Sequence, residues 1–437
     1  MNDTHAGASA QQGPDANESA ASTLPDLDTY RRQARAWLAE NFEKRNGPWV
    51  LHEVDYYTPE VMAASRERQR ILYEGGYAGI TWPKEYGGQG LPEEYESAFM
   101  DEAGNYLLPD FGILSGTTFH VCVPTMIAYG QPEFLRDFVP KVLAGEALVC
   151  QFFSEPSSGS DLAGARTRAT KDGEQWIING QKIWSTYAHL SDWGFCLART
   201  NWDVPKHRGL TWFAVPSNAA GLTIRPIRQI NETSEFCEDF FDDVVVPDGN
   251  RIGDIDQGWT VTQTMLVFER GGGRPIGNHD SFRPGHLAPD LVELARRSGV
   301  LGDPIIRQKL ARAHTIDFVG RALALRIGEL GRLGRLDAGV AAYGKLFQGT
   351  YNPIRARLGV EIGGAQAMAW DTSDEHGSDT SMAYLNARIM SIAGGTNEMQ
   401  RNGIGERALG LPREPSFDTK KPFNQVLRDA KEWTGAT

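Results

Sequence analysis

Apolar positions along the chain change their period twice. From Leu27 a spacing of three and four residues, through Tyr30, Ala34, Trp37 and Leu38, predicts an amphipathic helix. The same period predicts helices over Pro59–Glu74 and Glu93–Glu102, the two separated by a glycine-rich loop, GITWPKEYGGQGLP, at Gly79–Pro92. Pro132 stands where a helix start tolerates it, ahead of Glu133–Leu143, and Gly145 marks the stop. Between Leu148 and Pro247 the pattern shortens to β-rich runs: LVCQFFSE, WIINGQKIW, WGFCLART, LTWFAVP, LTIRPI and FFDDVVVP. Turn signals at Lys171-Asp172-Gly173 and Asn179-Gly180 divide them, and a spacing of roughly ten residues predicts a small antiparallel barrel or sandwich. From Gly258 to Leu411 the helical period returns, over Trp259–Arg270, Pro304–Arg335 and Gly339–Arg357. The expected fold class is α+β: a helical N-terminal domain (25–148), a central small β-barrel or sandwich (149–250) and a C-terminal helical bundle (251–415). A disordered extension (1–24) precedes them and a tail (416–437) follows.

Composition narrows the function classes. The 437 residues carry 44 basic and 56 acidic side chains, a formal net charge of −12, a poor match to nucleic acid or an anionic membrane surface. No uncharged apolar run approaches the ~18–20 residues of a membrane span. Residues 1–24 hold neither Arg nor Lys, so neither a secretory signal nor a mitochondrial presequence is expected. Cys122, Cys150, Cys196 and Cys237 lie far apart with no CxxC pair, which points to buried reduced thiols in a cytoplasmic protein and to no metal site. GxGxxG after a strand, the P-loop and GxSxG are all missing, which argues against a Rossmann dinucleotide site, a phosphate-cradling NTPase and a nucleophile elbow.

Three blocks carry candidate chemistry. The first is QFFSEPSSGSDLAG, Gln151–Gly164, followed by NGQKIWSTYAHLSDW, Asn179–Trp193. Its serines and backbone amides suit an extended acceptor ligand, although a Ser/Gly run by itself also fits a solvated loop. Trp184 can stack on a flat ligand or fill a core. The second block, Ile389–Arg413, places a Gly-Gly-Thr turn before a helix that Thr396 caps. The third is GWTVTQTMLVFERGGGRP, Gly258–Pro275. On a helix, Glu269 lies above Met265 and beside Leu266, a carboxylate in an apolar stripe. Desolvation there raises a carboxyl pKa toward the range of a general base; a surface Glu paired with Arg270 or solvent is the plainer alternative.

Taken together, these blocks resemble the acyl-CoA dehydrogenase family over residues 27–412. SEPSSGSDLAG is similar to the family's TEPGAGSD signature, and GGTNEMQR to its EGT-S/N-E-I-Q-R signature. Bacterial members acting on long or steroid-like acyl chains are similar in GITWPKEYGGQG and GERALGLPR. The resemblance implies an FAD-dependent enzyme that removes the α-proton of an acyl-CoA while the β-hydrogen leaves as hydride, giving the trans-2-enoyl-CoA. It implies FAD contacts for Phe153, Ser154, Ser160, Trp184, Thr186, Thr396 and Glu398, with Ser160 also near the CoA moiety and Asp161 a loop stabiliser. It also implies an electron-transfer flavoprotein or similar acceptor.

Two departures shape the expectation. The commonest family base is the Glu before Gly-Thr, but here Gly394 occupies that place. Isovaleryl-CoA dehydrogenase and long-chain relatives use a Glu on an earlier helix in an ER context, which Glu269-Arg270 matches. Glu269 is therefore the expected catalytic base, and Arg270 is expected to shape the substrate pocket. Secondly, the R-x-T-F-G segment that reaches a neighbour's FAD is replaced by Gly277–Leu301, and Val360 stands where the Q-x-x-G-G element has Gln. A homo-oligomer and a heterotetramer with a related chain are both open, as are a desulfinase-type or nitroalkane-oxidase-type chemistry and a non-catalytic subunit role. Three other features have plain expectations: the arginines of Arg307–Arg335 an exposed helix face, His189 a satisfied polar residue, and Glu155 with Asp161 no glycosidase pair.

Overall fold

The computed structural model describes residues 24–45, 57–269, 289–335, 339–369, 377–416 and 418–434. Arg270, Gly271–Gly273 and all but the last residue of the expected extension lie outside the described residues.

The first layer is helical. Asp26 accepts the Thr29 amide and starts α1, Leu27–Asn41. Thr58 caps α2, Pro59–Glu74, whose first residue is the proline that a helix start tolerates. α3 follows at Glu93–Ala103, then one turn, α4, at Ile113–Ser115. It runs through a π-helical stretch, Gly116–Cys122, into α5, Val123–Tyr129, and α6 is Pro132–Leu143. Leu38, Phe99, Leu135 and Phe138 are buried together with Met126 in one core.

Eight strands make the second layer: β1 Val149–Phe152, β2 Arg168–Asp172, β3 Gln175–Thr186, β4 Trp193–Arg199, β5 Leu210–Pro216, β6 Leu222–Ile227, β7 Phe236–Pro247 and β8 Arg251–Ile252. They form one mixed sheet in the order β6-β7-β3-β2-β4-β5-β8, with β1 also on β4. The pairings of β1 and β2 with β4 are parallel, so the sheet is not the all-antiparallel one that the spacing predicts. The Lys171-Asp172-Gly173 turn forms, with Gly173 in the left-handed region. Asn179-Gly180 does not turn. β3 continues through it because β7 lies beside it for its whole length, and a bulge takes up the extra residue. Only glycine fits there: at φ +151, a Cβ on Gly180 would lie 2.7 Å from the Thr167 Cα.

The helices of the third layer are α7 Gly258–Glu269, α8 Pro289–Arg297, α9 Pro304–Arg332, α10 Val340–Gly363, α11 Gly377–Asn386 and α12 Asn397–Gly403. Leu291, Leu294, Ile306, Leu310, Leu358 and Ile362 form their core. α7 belongs instead to the first core, where Val261 and Met265 pack with Met126 and Trp212. The chain then returns to the sheet: α13, Phe423–Thr434, seats Phe423 against the β4–β5 connection. The expected tail is thus a docked helix.

Candidate active site

The geometry begins with α7. The Trp212 indole N–H donates to the Gly258 carbonyl (2.9 Å) and to the Thr262 hydroxyl (3.0 Å), and Tyr129 and Thr264 share a hydroxyl bond of 2.7 Å. A Cβ on Gly258 would lie 2.6 Å from the Leu210 carbonyl oxygen, so the helix start sits directly on β5. Met265, one turn earlier, is fully buried, and Glu269 at the helix end is half-buried.

Glu269 meets the turn that lost its side chain. An ideal Cβ on Gly394 would lie 3.3 Å from Glu269 Oε1 and 3.2 Å from Lys345 Cε. Gly394 and Gly395 both have positive φ, +65 and +92. Their carbonyls accept from the Gln400 amide at 3.1 Å each. Lys345 donates to the Met390 carbonyl, and Ser391 and Asn397 donate to the Gly349 carbonyl at 2.7 and 3.2 Å. α10 is therefore tied to both sides of the Gly394 turn. The π-helical stretch also packs on α7. Burial, and then the Glu269 charge, push the Cys122 thiol well up, which keeps it protonated and unreactive.

A second group of predicted residues gathers at the end of β1. The Ile183 amide donates to the Ser154 carbonyl at 2.9 Å, which sets Ser154 beside the bulge that carries Trp184. Trp184 is not a core residue: it is 55% exposed at φ +67, with its indole edge-on to Phe236. Thr186 closes β3 opposite Phe236, and Phe153 packs on Trp212, the same indole that holds α7. Ser160 lies exposed on the loop. Thr396 caps α12 by accepting the Met399 amide, and Glu398 is an exposed partner of Arg401 at 3.5 Å. Arg270 lies outside the described residues.

Below this surface are buried charges, of which the sequence raises Glu155 only as half of a rejected pair with Asp161 and does not raise Lys182 or Asp239. Lys182 is fully buried and donates to Glu155 (2.8 Å) and to the Phe153 carbonyl (3.0 Å). Glu155 also accepts the Arg166 and Thr167 amides at 2.6 and 2.8 Å. Burial pushes the Glu155 carboxyl up, but Lys182 and the two amides outweigh it and hold it below its ordinary value. It is therefore a brace under the Phe153-Ser154 backbone. Asp239, directly opposite Lys182 on β7, has only the Ser185 hydroxyl on Oδ2, and its Oδ1 has no partner. Burial pushes its carboxyl up to about 7. His189 rests against the Cys237 sulfur at 3.2 Å, and burial lowers its pKa. All four cysteines are free and buried. Lys345 was the other omission; its only sequence signal was a helical position opposite a Gly-Gly turn.

The chain matches three family models in order: acyl-CoA dehydrogenase N-terminal domain (25–146), middle domain (150–244) and C-terminal domain (256–409). It belongs to the acyl-CoA dehydrogenase family, and it is an oxidoreductase of that kind. It is 37% identical over 401 residues to the acyl-CoA dehydrogenase IpdE1 of Mycobacterium tuberculosis, covering 90% of this chain and 99% of the relative. Among solved structures it is similar to the Tcur3481-Tcur3483 steroid ACAD (TM-score 0.68, 26% identity, 90% of this chain and 99% of that one). It is also similar to a chain of the ChsE4-ChsE5 complex from Mycobacterium tuberculosis (TM-score 0.65, 27% identity, 90% and 100%). Among the described residues no helix is long and apolar enough to cross a membrane.

Proposed function

We propose that the chain is an FAD-dependent enzyme that converts an acyl-CoA to its trans-2-enoyl-CoA, with Glu269 removing the α-proton. The observation that carries this reading is the position of Glu269 Oε1, 3.3 Å from where a side chain on Gly394 would begin. A carboxylate thus reaches the place of the commoner family base from a different helix. The residues at the end of β1 fit a flat group with polar edges. Trp184 offers an exposed indole, Phe153 a second aromatic ring, and Ser154, Ser160 and Thr186 offer hydroxyls. Thr396 and Glu398 are assigned to the far end of the same cofactor. FAD, when bound, supplies the hydride acceptor for the β-carbon.

The chain's own part is placement and proton transfer. An α-proton beside a thioester carbonyl is acidic enough for a carboxylate once the developing oxyanion meets hydrogen-bond donors. Glu269 takes that proton onto its carboxylate and ends neutral, as the C–H pair becomes the new double bond. Arg270, the next residue in sequence, is assigned a part in substrate binding. A bulky acyl group is the proposed substrate class, in keeping with the steroid enzyme among the similar structures. An electron-transfer flavoprotein or similar protein is the proposed electron acceptor, and the cytoplasm the proposed location.

A related chain is the proposed partner. The exposed side chains Phe318 and Leu325 share one face of α9, and two of the similar structures, the Tcur3481-Tcur3483 steroid ACAD and the ChsE4-ChsE5 complex, are each named for two proteins. Purified protein mixed anaerobically with a panel of acyl-CoA thioesters should lose its flavin absorbance and yield 2-enoyl-CoA. Glu269→Gln should keep the bound flavin and lower turnover by at least ~10²-fold, the usual minimum for a lost general base. Full turnover in that variant contradicts the assignment.

A further inference from the structure

We propose that residues 418–434 form a strap that holds the serine-rich 154–164 loop in its working position, with Lys206 as the positioning residue that joins them. The family's C-terminal domain model matches this chain to residue 409, so this segment lies beyond the residues that model matches. It does not trail into solvent. The Phe423 amide donates to the Val204 carbonyl at 2.9 Å, the Asn424 amide donates to the Trp202 carbonyl at 3.0 Å, and Pro422 bridges Pro205. One side of α13, with Phe423 buried and Val426 and Leu427 half-buried, faces the protein.

Two buried cations connect this contact to the loop. The Lys206 side chain is only 8% exposed, and its ammonium donates to both carboxylate oxygens of Asp161 at 2.9 Å and to Asp418 at 2.6 Å. Asp161 belongs to the loop and Asp418 to the strap, so one ammonium ties both. Ser416 in turn donates to the other oxygen of Asp418 at 2.6 Å. The second cation is Arg199, fully buried at the end of β4. It donates to the carbonyls of Ala163 (2.6 Å), Ala165 (2.9 Å) and Lys206 (3.2 Å). The Phe423 ring covers its guanidinium at 3.9 Å. The far end of the loop is thus held by a cation that the strap keeps from water. At the near end, Ser158 donates to the Asp161 carbonyl at 2.6 Å, and Glu155 and Ser158 exchange backbone bonds, so tension at Asp161 reaches Ser154 through few links.

The inference rests on the proposed role of that loop in holding cofactor and acyl-CoA, and the test separates the two. Hydrogen–deuterium exchange is read on the full-length protein for wild type, Asp418→Asn, Phe423→Ala, Lys206→Met and Lys206→Arg. In Phe423→Ala and Lys206→Met, amides of 157–165 should exchange about ten-fold faster while β3 and β7 stay protected. Asp418→Asn should show a smaller rise, and Lys206→Arg should restore most of the protection. The KM for acyl-CoA should rise about three-fold or more with kcat little changed. Fast exchange across 423–434 with an unchanged 157–165 overturns the strap. Faster loop exchange with unchanged KM and unchanged flavin affinity leaves the strap standing and contradicts the role given to the loop.

Discussion

In the middle domain every residue of β4 from Gly194 to Arg199, and of β5 from Leu210 to Val215, is buried. In α9 the buried positions Ile306, Leu310, Ala313 and Ile316 all fall in the first half, and the second half exposes Phe318, Val319 and Leu325. The sheet holds Lys182, Glu155 and Arg199 inside its core because strands and loops of the chain supply their partners, while Asp239 keeps one oxygen without a partner there. In the helical half Gly320 of α9 admits the Phe347 ring of α10, and among the described residues the second half of α9 keeps an exposed apolar face. Glu269 sits where the two halves meet, on a helix fixed by the first and opposite a turn tied by the second.

That contrast makes graded predictions. Lys182→Met leaves the Glu155 carboxylate buried without its cation, and denaturant unfolding should show a loss of about 3–5 kcal/mol. A loss below about 1 kcal/mol would mean the brace is not needed. Asp239 is the next test. Its carboxyl titrates near 7 when folded and near 3.8 when exposed, so its favourable contribution is complete below about pH 4 and fades as pH rises through 7. The charged groups acting on it are Lys182, which favours ionisation, and Glu238, which opposes it. Wild-type stability should therefore fall across that range by a few kcal/mol, and Asp239→Asn should remove the slope. Parallel slopes would show that Asp239 is ionised in the folded chain. On the helical side, Phe318→Glu with Leu325→Glu should weaken association at least ten-fold by sedimentation, with little change in the chain's own unfolding. The smallest effect is expected at the exposed Glu398–Arg401 pair, where Arg401→Ala should cost less than about 0.5 kcal/mol.

Much of this was legible in the chain because local signals and packing agree. Pro59–Glu74 is a helix with its Thr58 cap, and Thr396 caps α12 as its position before Asn397 and Glu398 predicts. Asn179-Gly180 misled because a strong turn dipeptide is overridden when a neighbouring strand supplies partners on both sides of it. The parallel pairings of β4 were illegible because strand direction depends on connections, not on alternation. At the site, Glu269 is named through the family resemblance, with Gly394 where the commoner base stands; its spacing from Met265 alone fits a surface Glu equally. Lys345, Lys182 and Arg199 could not be named, since a lysine or arginine in a helix or strand normally marks the surface, and only the fold turns these inward. The tail is expected from the sequence only as a segment after the bundle; it docks through Phe423 on Arg199 and Asp418 on Lys206, contacts between residues far apart in the chain.

The account depends most on Glu269 as the group that takes the α-proton. An acyl-CoA analogue with sulfur in place of the β-carbon has no β-hydride to lose, so incubation with the flavin-loaded enzyme in heavy water isolates the proton step. Deuterium should enter the α-position with wild type and at least ~10²-fold more slowly with Glu269→Gln, while Asp239→Asn stays near wild type. Exchange at the wild-type rate in Glu269→Gln, with the flavin still bound, would place the base elsewhere.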